Sequence, residues 1–349
     1  MQLDIWHISG DGFHWGRHGL GQEESGRHIP SDTLFAALVA RLAELEGAAA
    51  AQAFVDAGRG DTPPFVMSSA FPRAGNARFF PTPLRHPTEP KPDGPRPKDL
   101  KRVKFVSESL FRAILAGGTL ADAVQTGAKL HDGQVVFGGQ VVLTPIEHAQ
   151  LPALVRDDNK LWNVEKRPRV TVGRAAQNSQ IYFTGRTAFH QECGLWFGVR
   201  WLTRTDTLAQ TLESLLLELG DAGLGGVRSS GFGQCKIERV GSLDLPDPSG
   251  GLWVTLSRYL PRADESHALR DERSAYAVET IGGWVDSPVR KSERRRAVRM
   301  LAEGAVLGPV ARAAPGQIVD AQPDYDGKQP LGHPVWRSGL ALAVGLKGR

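Results

Sequence analysis

Cysteine is nearly absent from this chain of 349 residues: only Cys193 and Cys235 occur. Two thiols cannot build a disulfide framework, and no Cys-x-x-Cys or paired Cys/His spacing offers a zinc site. Both lie in strand-like stretches and read as buried, reduced thiols. Long apolar runs are missing too. Charge or glycine interrupts each one well short of the roughly 18 residues a spanning helix needs, so no membrane association is expected. The chain opens on a strand-like segment without a basic region followed by an apolar one, so no secretory leader is read and a cytoplasmic location is expected. Acidic residues show no paired arrangement. Asp11 and the adjacent Glu23/Glu24 sit in the first loop with no motif-like spacing, and carboxylates near glycine are common turn formers. Neither a metal nor a cofactor is therefore expected. The charge is unbalanced only slightly, at +4, with 41% hydrophobic and 23% charged residues. Such a composition suits a soluble globular protein. It permits an acidic partner without requiring one, so the distribution of charge must decide.

Pattern is plentiful where composition is bland. Leu3 to Ser9 reads as a first strand, followed by a Gly-, His- and Arg-rich loop over Gly10–His28. Next, Leu34, Phe35, Leu38, Val39, Leu42 and Leu45 recur at three- and four-residue steps. This predicts an amphipathic helix over Thr33–Leu45, with Ser31 or Asp32 as N-cap and Gly47 as stop. Pro63 to Pro97 is too rich in proline for continuous helix or central strand. Ser107–Leu115 predicts a short helix ending at Gly117 and Gly118. Ser179–Phe189 and Gly194–Thr203 predict two strands, and Thr207–Leu219 a second amphipathic helix. A glycine-rich loop at 223–233 then leads into the strand Gln234–Val240. In order this is β-α-insertion-β-β-α-loop-β, the split βαβ or ferredoxin-like pattern shared with RNA-recognition modules. The expected fold class is thus α+β. Its N-terminal ferredoxin-like domain covers 1–245, with a large insertion at about 60–168. A linker at Pro246–Gly251 precedes a second, degenerate copy over 250–349.

Three segments carry chemistry. In the first, Gly225, Gly226, Gly231 and Gly233 surround Arg228, Ser229, Ser230 and Phe232. Glycine lets a phosphate or sugar approach backbone N–H groups, and Arg228 adds a guanidinium fork matched to phosphate oxygens. Phe232 either stacks on a base or packs inward. The bland alternative is a flexible helix-to-strand connection. No Gly-Lys-Ser/Thr closes the loop, so it is not a nucleotide P-loop. In the second segment Phe13, His14, Trp15, Arg17, His18, Arg27 and His28 interleave aromatics with cations, which suits single-stranded RNA. The alternative is a solvated loop with one aromatic in the core. The third, Arg96, Lys98, Lys101, Arg102 and Lys104, is either a solvated face or a contact with a phosphate-rich duplex. A further cluster, Arg290, Lys291, Arg294, Arg295, Arg296 and Arg299, reads equally as general electrostatic surface or as a binding site.

The run Gly225–Gly233 resembles the glycine-rich signature of the RAMP superfamily of CRISPR proteins. Further segments resemble the fourth-subunit group of type III-A (Csm) effector complexes. They are Gly12–Phe35 with its Ile29-Pro30-Ser31-Asp32, Phe79–Leu84 followed by the basic Pro97–Phe105, Gly194–Phe197, Gly282–Val285, Ala302–Gly304 and His333–Arg337. Related subunits of type III-B and III-D complexes share much of this set. The resemblance implies two ferredoxin-like domains and an inserted β-hairpin thumb, placed in or next to the basic Arg96–Lys104 stretch. It implies a non-catalytic subunit holding the 5′ handle of crRNA through the first loop, Ser31 and the glycine loop, with target RNA near the thumb. It also implies contacts with the large polymerase/cyclase-like subunit and a backbone RAMP subunit. The competing enzyme reading is a metal-independent RAMP endoribonuclease using His14, His18 or His28 as acid or base. A general RNA binder outside CRISPR is disfavoured, because the paired central-strand aromatics of ordinary RRMs are not recognisable.

Overall fold

The computed structural model describes residues 1–15, 25–84, 94–130, 140–173, 178–228, 231–285, 287, 293–325, 327–328 and 331–347. Strand β1 (Gln2–Ser9) is buried along nearly its whole length, because it lies between two others in the main sheet. Helix α1 (Ser31–Glu46) turns Leu34, Phe35, Leu38 and Leu42 inward, the face its periodicity predicts. Pro30 precedes it with extended ψ, and no side chain caps it. The Ser31 hydroxyl, expected to cap, accepts instead from the Arg258 backbone N–H at 2.9 Å. Gly47, at φ +91°, ends α1 and turns the chain into α2 (Ala48–Arg59), which packs back with Phe54 on Phe35.

The proline-rich stretch holds more regular structure than its sequence suggests. It supplies β2 (Phe65–Met67), β3 (Phe71–Ala74) and β4 (Ala77–Pro81). Past these come α3 (Pro97–Arg102), β5 (Phe105–Ser107), α4 (Glu108–Leu115), α5 (Leu120–Thr126), β6 (Ala128–Leu130), β7 (Val141–Leu143), α6 (Pro145–Ala149) and α7 (Ala153–Asp158). Two twelve-residue strands follow, β8 (Trp162–Gly173) and β9 (Asn178–Phe189), then β10 (Cys193–Trp201), α8 (Asp206–Ala222) and β11 (Lys236–Asp244). Among the described residues the main sheet has nine strands in the order β11-β1-β10-β3-β4-β5-β7-β6, with β2 also on β10. Among the described pairs only β5–β7 is parallel.

Two expectations are corrected here. Ser179–Phe189, read as a core strand, is β9. It pairs with β8 as a separate two-stranded ribbon in register from Trp162↔Phe189 to Gly173↔Asn178. The place beside β10 belongs to β2 and β3, from the stretch read as insertion. Segment 60–168 therefore builds β2 to β7 of the sheet, because its short strands bury Phe71, Phe79, Phe80, Phe105, Val106 and Val142. Phe80 stacks on Phe111 of α4 with ring centroids 4.5 Å apart, an anchor whose truncation costs about 3–5 kcal/mol.

Beyond Gly250 the strands are short: β12 (Trp253–Thr255), β13 (Val278–Ile281), β14 (Val298–Leu301), β15 (Val306–Leu307), β16 (Ile318–Asp320), β17 (Trp336–Ser338) and β18 (Ala343–Gly345). They form a three-stranded β15-β12-β18 sheet and the pairs β13–β14 and β16–β17. A 3-10 turn and the four-residue α9 (Ser266–Leu269) are the helical structure among the described residues there. These described strands and short helices do not by themselves show the degenerate second copy expected from sequence. Its strand-length apolar stretches bury against the rest of the chain: Leu252, Val254, Leu256, Val306, Leu340, Leu342 and Val344 join one continuous core with Leu3 and Phe71.

Candidate nucleic-acid interface

Three segments distant in sequence meet at one end of the main sheet. The chain leaving β1 crosses the foot of the β8–β9 ribbon, where the Phe13 N–H donates to the Thr187 carbonyl at 2.9 Å and the Thr187 N–H returns 2.8 Å to Phe13. The glycine loop lies against the same chain. The Gly226 N–H donates to His14 O at 2.9 Å and the Gly233 N–H to Gly12 O at 3.0 Å. Here glycine is required, not merely tolerated. Gly225 sits at φ +94°, and a Cβ there would stand 2.6 Å from the His14 carbonyl. Val227 accepts a positive φ of 61° to complete the turn.

Electrostatics concentrate on the open side of this junction. Phe232, half-buried, lies under two guanidiniums, with Arg169 Cζ 5.2 Å and Arg186 Cζ 5.9 Å from its ring centroid. Arg186 is held by Asp11 O at 2.8 Å and by Glu165 at 3.3 Å, and Glu165 also pairs with Arg167 at 2.7 Å. Burial nudges the Glu165 carboxyl upward, but Arg167 and Arg186 outweigh it and hold it below its ordinary value. Arg228 is exposed on the loop beside them. The result is a loop-borne ring rimmed by cations carried on paired strands, a surface suited to phosphate and base stacking.

Several residues proposed from sequence are placed differently. Phe13 and Trp15, expected to present rings to RNA, are buried and stack on each other with centroids 4.6 Å apart. His14 is buried as well, and its Nδ1–H donates to Gly185 O at 2.7 Å. These three hold the loop to the ribbon, and a base cannot reach them. Ser31 is likewise buried, its backbone N–H donating to the Ser69 hydroxyl at 2.9 Å. His28 is partly exposed, 3.6 Å from the Glu303 carboxylate. Arg27 is half-buried nearby. Gly225, Gly226, Arg228, Gly231, Phe232 and Gly233 do share one loop, while Arg17, His18, Ser229 and Ser230 lie outside the described residues. Sequence reading missed Arg169 and Arg186. Their signal was the cation-rich Lys166-Arg167-Pro168-Arg169 facing Tyr182–Gly185, with Arg186 opposite Glu165, in a ribbon too polar to be a core strand.

The basic run forms no hairpin in its described part. Residues 97–102 are the short α3, in which Arg96 pairs with Asp99 at 2.8 Å and Arg102 approaches the same carboxylate at 4.0 Å. Lys98, Lys101 and Lys104 point to solvent, while Val103 and Phe105 are buried. The ribbon β8–β9 has the shape expected of the thumb instead, with Val170, Ile181, Tyr182 and Phe183 exposed along it. Among the described residues no three His, Cys, Asp or Glu side chains gather as a metal ion would need.

Comparison with known proteins finds similar chains. Residues 249–346 match the family described as the CRISPR Csm4 C-terminal domain. The protein named CRISPR system Cms protein Csm4 of Thermococcus onnurineus (strain NA1) is 27% identical over 331 residues, spanning 92% of this chain and 93% of that protein. Its namesake in Methanocaldococcus jannaschii is 21% identical over 344 residues. The chain is thus similar to Csm4 proteins over nearly its whole length. Solved structures agree in fold. A chain of the Csm3–Csm4 subcomplex of the type III-A interference complex superposes with a TM-score of 0.64 at 17% identity, covering 100% of both chains. A chain of the Csm1–Csm4 cassette with cA4 gives 0.54 at 16% identity, covering 100% of this chain and 99% of that one. Among the described residues of this Csm4-like chain, no helix is long and apolar enough to cross a membrane.

Proposed function

We propose that this chain is the subunit of a type III-A Csm complex that holds the repeat-derived 5′ handle of the crRNA. In this reading it bridges the large polymerase/cyclase-like subunit to a backbone RAMP subunit in the cytoplasm, without catalysing a reaction. Similarity to Csm4 proteins, and to folds solved with Csm1 and with Csm3, supports the partners. The order β11-β1-β10 followed by β2 and β3, with α1 and α8, supports a ferredoxin-like module. Its β8–β9 ribbon serves as the thumb toward the guide–target duplex.

The observation that carries the reading is Phe232 beneath Arg169 and Arg186, at the seam of first loop, glycine loop and ribbon. The buried His14, bound to a backbone carbonyl, favours holding RNA over cutting it. In the assembled complex, Arg228→Ala should reduce co-purifying guide RNA by the loss of one charge-assisted phosphate contact, about 1.5–3 kcal/mol. Phe232→Ala should reduce it further by freeing both arginines. Unchanged loading in both variants rejects the site. Site-specific cleavage of repeat RNA by the isolated chain, lost in His28→Ala, would replace this reading with the endoribonuclease.

A further inference from the structure

A second cation–aromatic surface lies far along the chain from the glycine loop. Strands β13 and β14 pair off the main sheet, from Val278↔Leu301 to Ile281↔Val298. Past Ile281 the ladder slips by one residue. Trp284 bridges Arg294, where an unshifted register would set it opposite Arg295. Gly283, at φ +126°, takes up the slip. A bulge of this kind re-aims the side chain that follows it. Trp284 is accordingly 58% exposed, with the Arg294 guanidinium 4.7 Å from its ring centroid.

Charge on this arm is one-sided. Arg294, Arg296 and Arg299 are exposed. The two acids described on it are engaged elsewhere, Glu279 with Arg258 at 2.7 Å and Glu293 with the Tyr325 hydroxyl at 3.0 Å. An exposed stacking ring bordered by arginines, with both described acids engaged elsewhere, fits a base with its flanking phosphates. The arm is also rooted near the first interface. Arg258, which holds Glu279, donates its backbone N–H to the hydroxyl of Ser31, the first residue of α1, directly after the loop from β1. Farther back, that same loop touches the glycine loop through His14.

We infer that the β13–β14 arm is a second contact for single-stranded RNA, in which a base stacks on Trp284 and Arg294, Arg296 and Arg299 meet the neighbouring phosphates. The test uses the full-length chain and a fluorescein-labelled single-stranded oligouridine, read by anisotropy over a salt series. Trp284→Ala should weaken binding about tenfold, the size of one lost base stack, and Trp284→Phe should restore most of it. Arg299→Ala should lower the salt slope by about one phosphate contact. Arg228→Ala runs alongside as the glycine-loop control. If it binds more weakly while the arm variants match wild type, the arm is not an RNA contact and the glycine-loop site stands. If Trp284→Ala keeps RNA but loses a partner subunit on co-purification, the arm is a protein interface and the inference is wrong. The exposed position of Trp284 predicts unchanged melting for both of its variants.

Discussion

Glu303→Gln probes the joint between the first loop and the C-terminal strands. Glu303 is almost wholly buried and takes three partners: the Ser69 hydroxyl at 2.6 Å, Arg258 Nε at 3.2 Å and His28 Nε2 at 3.6 Å. Arg258 is only 3% exposed and keeps one other carboxylate, Glu279, which is half-exposed. Removing one partner of a buried pair costs about 3–5 kcal/mol, because the other charge stays buried. Here Glu279 remains on Arg258, and a Gln amide oxygen still accepts from Ser69. The expected loss is therefore about 2–3 kcal/mol at neutral pH. The pH dependence has a definite sign. Burial alone would raise the Glu303 carboxyl, but Arg258 and His28 outweigh it and hold it well below its ordinary value of 4.5. A depressed carboxyl contributes stability above its unfolded pKa and loses it as pH falls toward the folded value. Urea unfolding followed by circular dichroism should separate wild type from variant at pH 7. The two curves should draw together as pH drops below about 4.5. Equal midpoints at pH 7, or a gap that persists unchanged into acid, would refute the reasoning.

Three further outcomes follow from the fold. Gly225→Ala forces a Cβ against the His14 carbonyl at φ +94°, costing about 2–3 kcal/mol from left-handed strain and the lost Gly226 hydrogen bond. Faster exchange of the Gly226 amide should report it, and wild-type protection would contradict it. Burial pushes both thiols, Cys193 and Cys235, up to about 12. Cys193 is buried and Cys235 half-buried, so iodoacetamide at mildly alkaline pH should label them rapidly only after denaturation, and rapid native labelling would contradict this. Replacing Val170–Ile181 by an Asn-Gly turn should leave melting unchanged, since Val170 and Ile181 are 56% and 65% exposed, whereas deleting Pro83–Phe105 should unfold the chain by removing Phe105 from the core. Unfolding of the first variant, or a stable second, would show the core wrongly drawn.

Legibility in the sequence followed the physics of each element. Helix α1 declared itself through Leu34, Phe35, Leu38 and Leu42, and α8 through Leu212, Leu215, Leu216 and Leu219, because one-sided burial imposes a helical period. The glycine loop was visible because only glycine fits positions such as Gly225. Strands β2 to β5, of three to five residues, were hidden among prolines, since so short a strand shows no period. The opposite error fell on β9. Its alternation resembles a half-buried strand, but the ribbon it forms leaves Ile181 to Phe183 in solvent, and alternation does not say which sheet a strand joins. Phe13 and Trp15 show the same ambiguity, since an aromatic beside cations is equally suited to base stacking and to anchoring a loop. Arg169 and Arg186 became part of the site only when the ribbon carried them to Phe232.

In the proposed role the seam around Phe232 holds one defined end of a guide RNA. Ultraviolet crosslinking of the assembled complex, with sequencing of the bound RNA and mapping of the crosslinked peptides, tests it most directly. RNAs sharing a common repeat-derived 5′ sequence are expected, with that end joined to peptides containing Phe232 or Arg169. RNAs with unrelated 5′ ends, or crosslinks from that end confined to other parts of this chain, would contradict it.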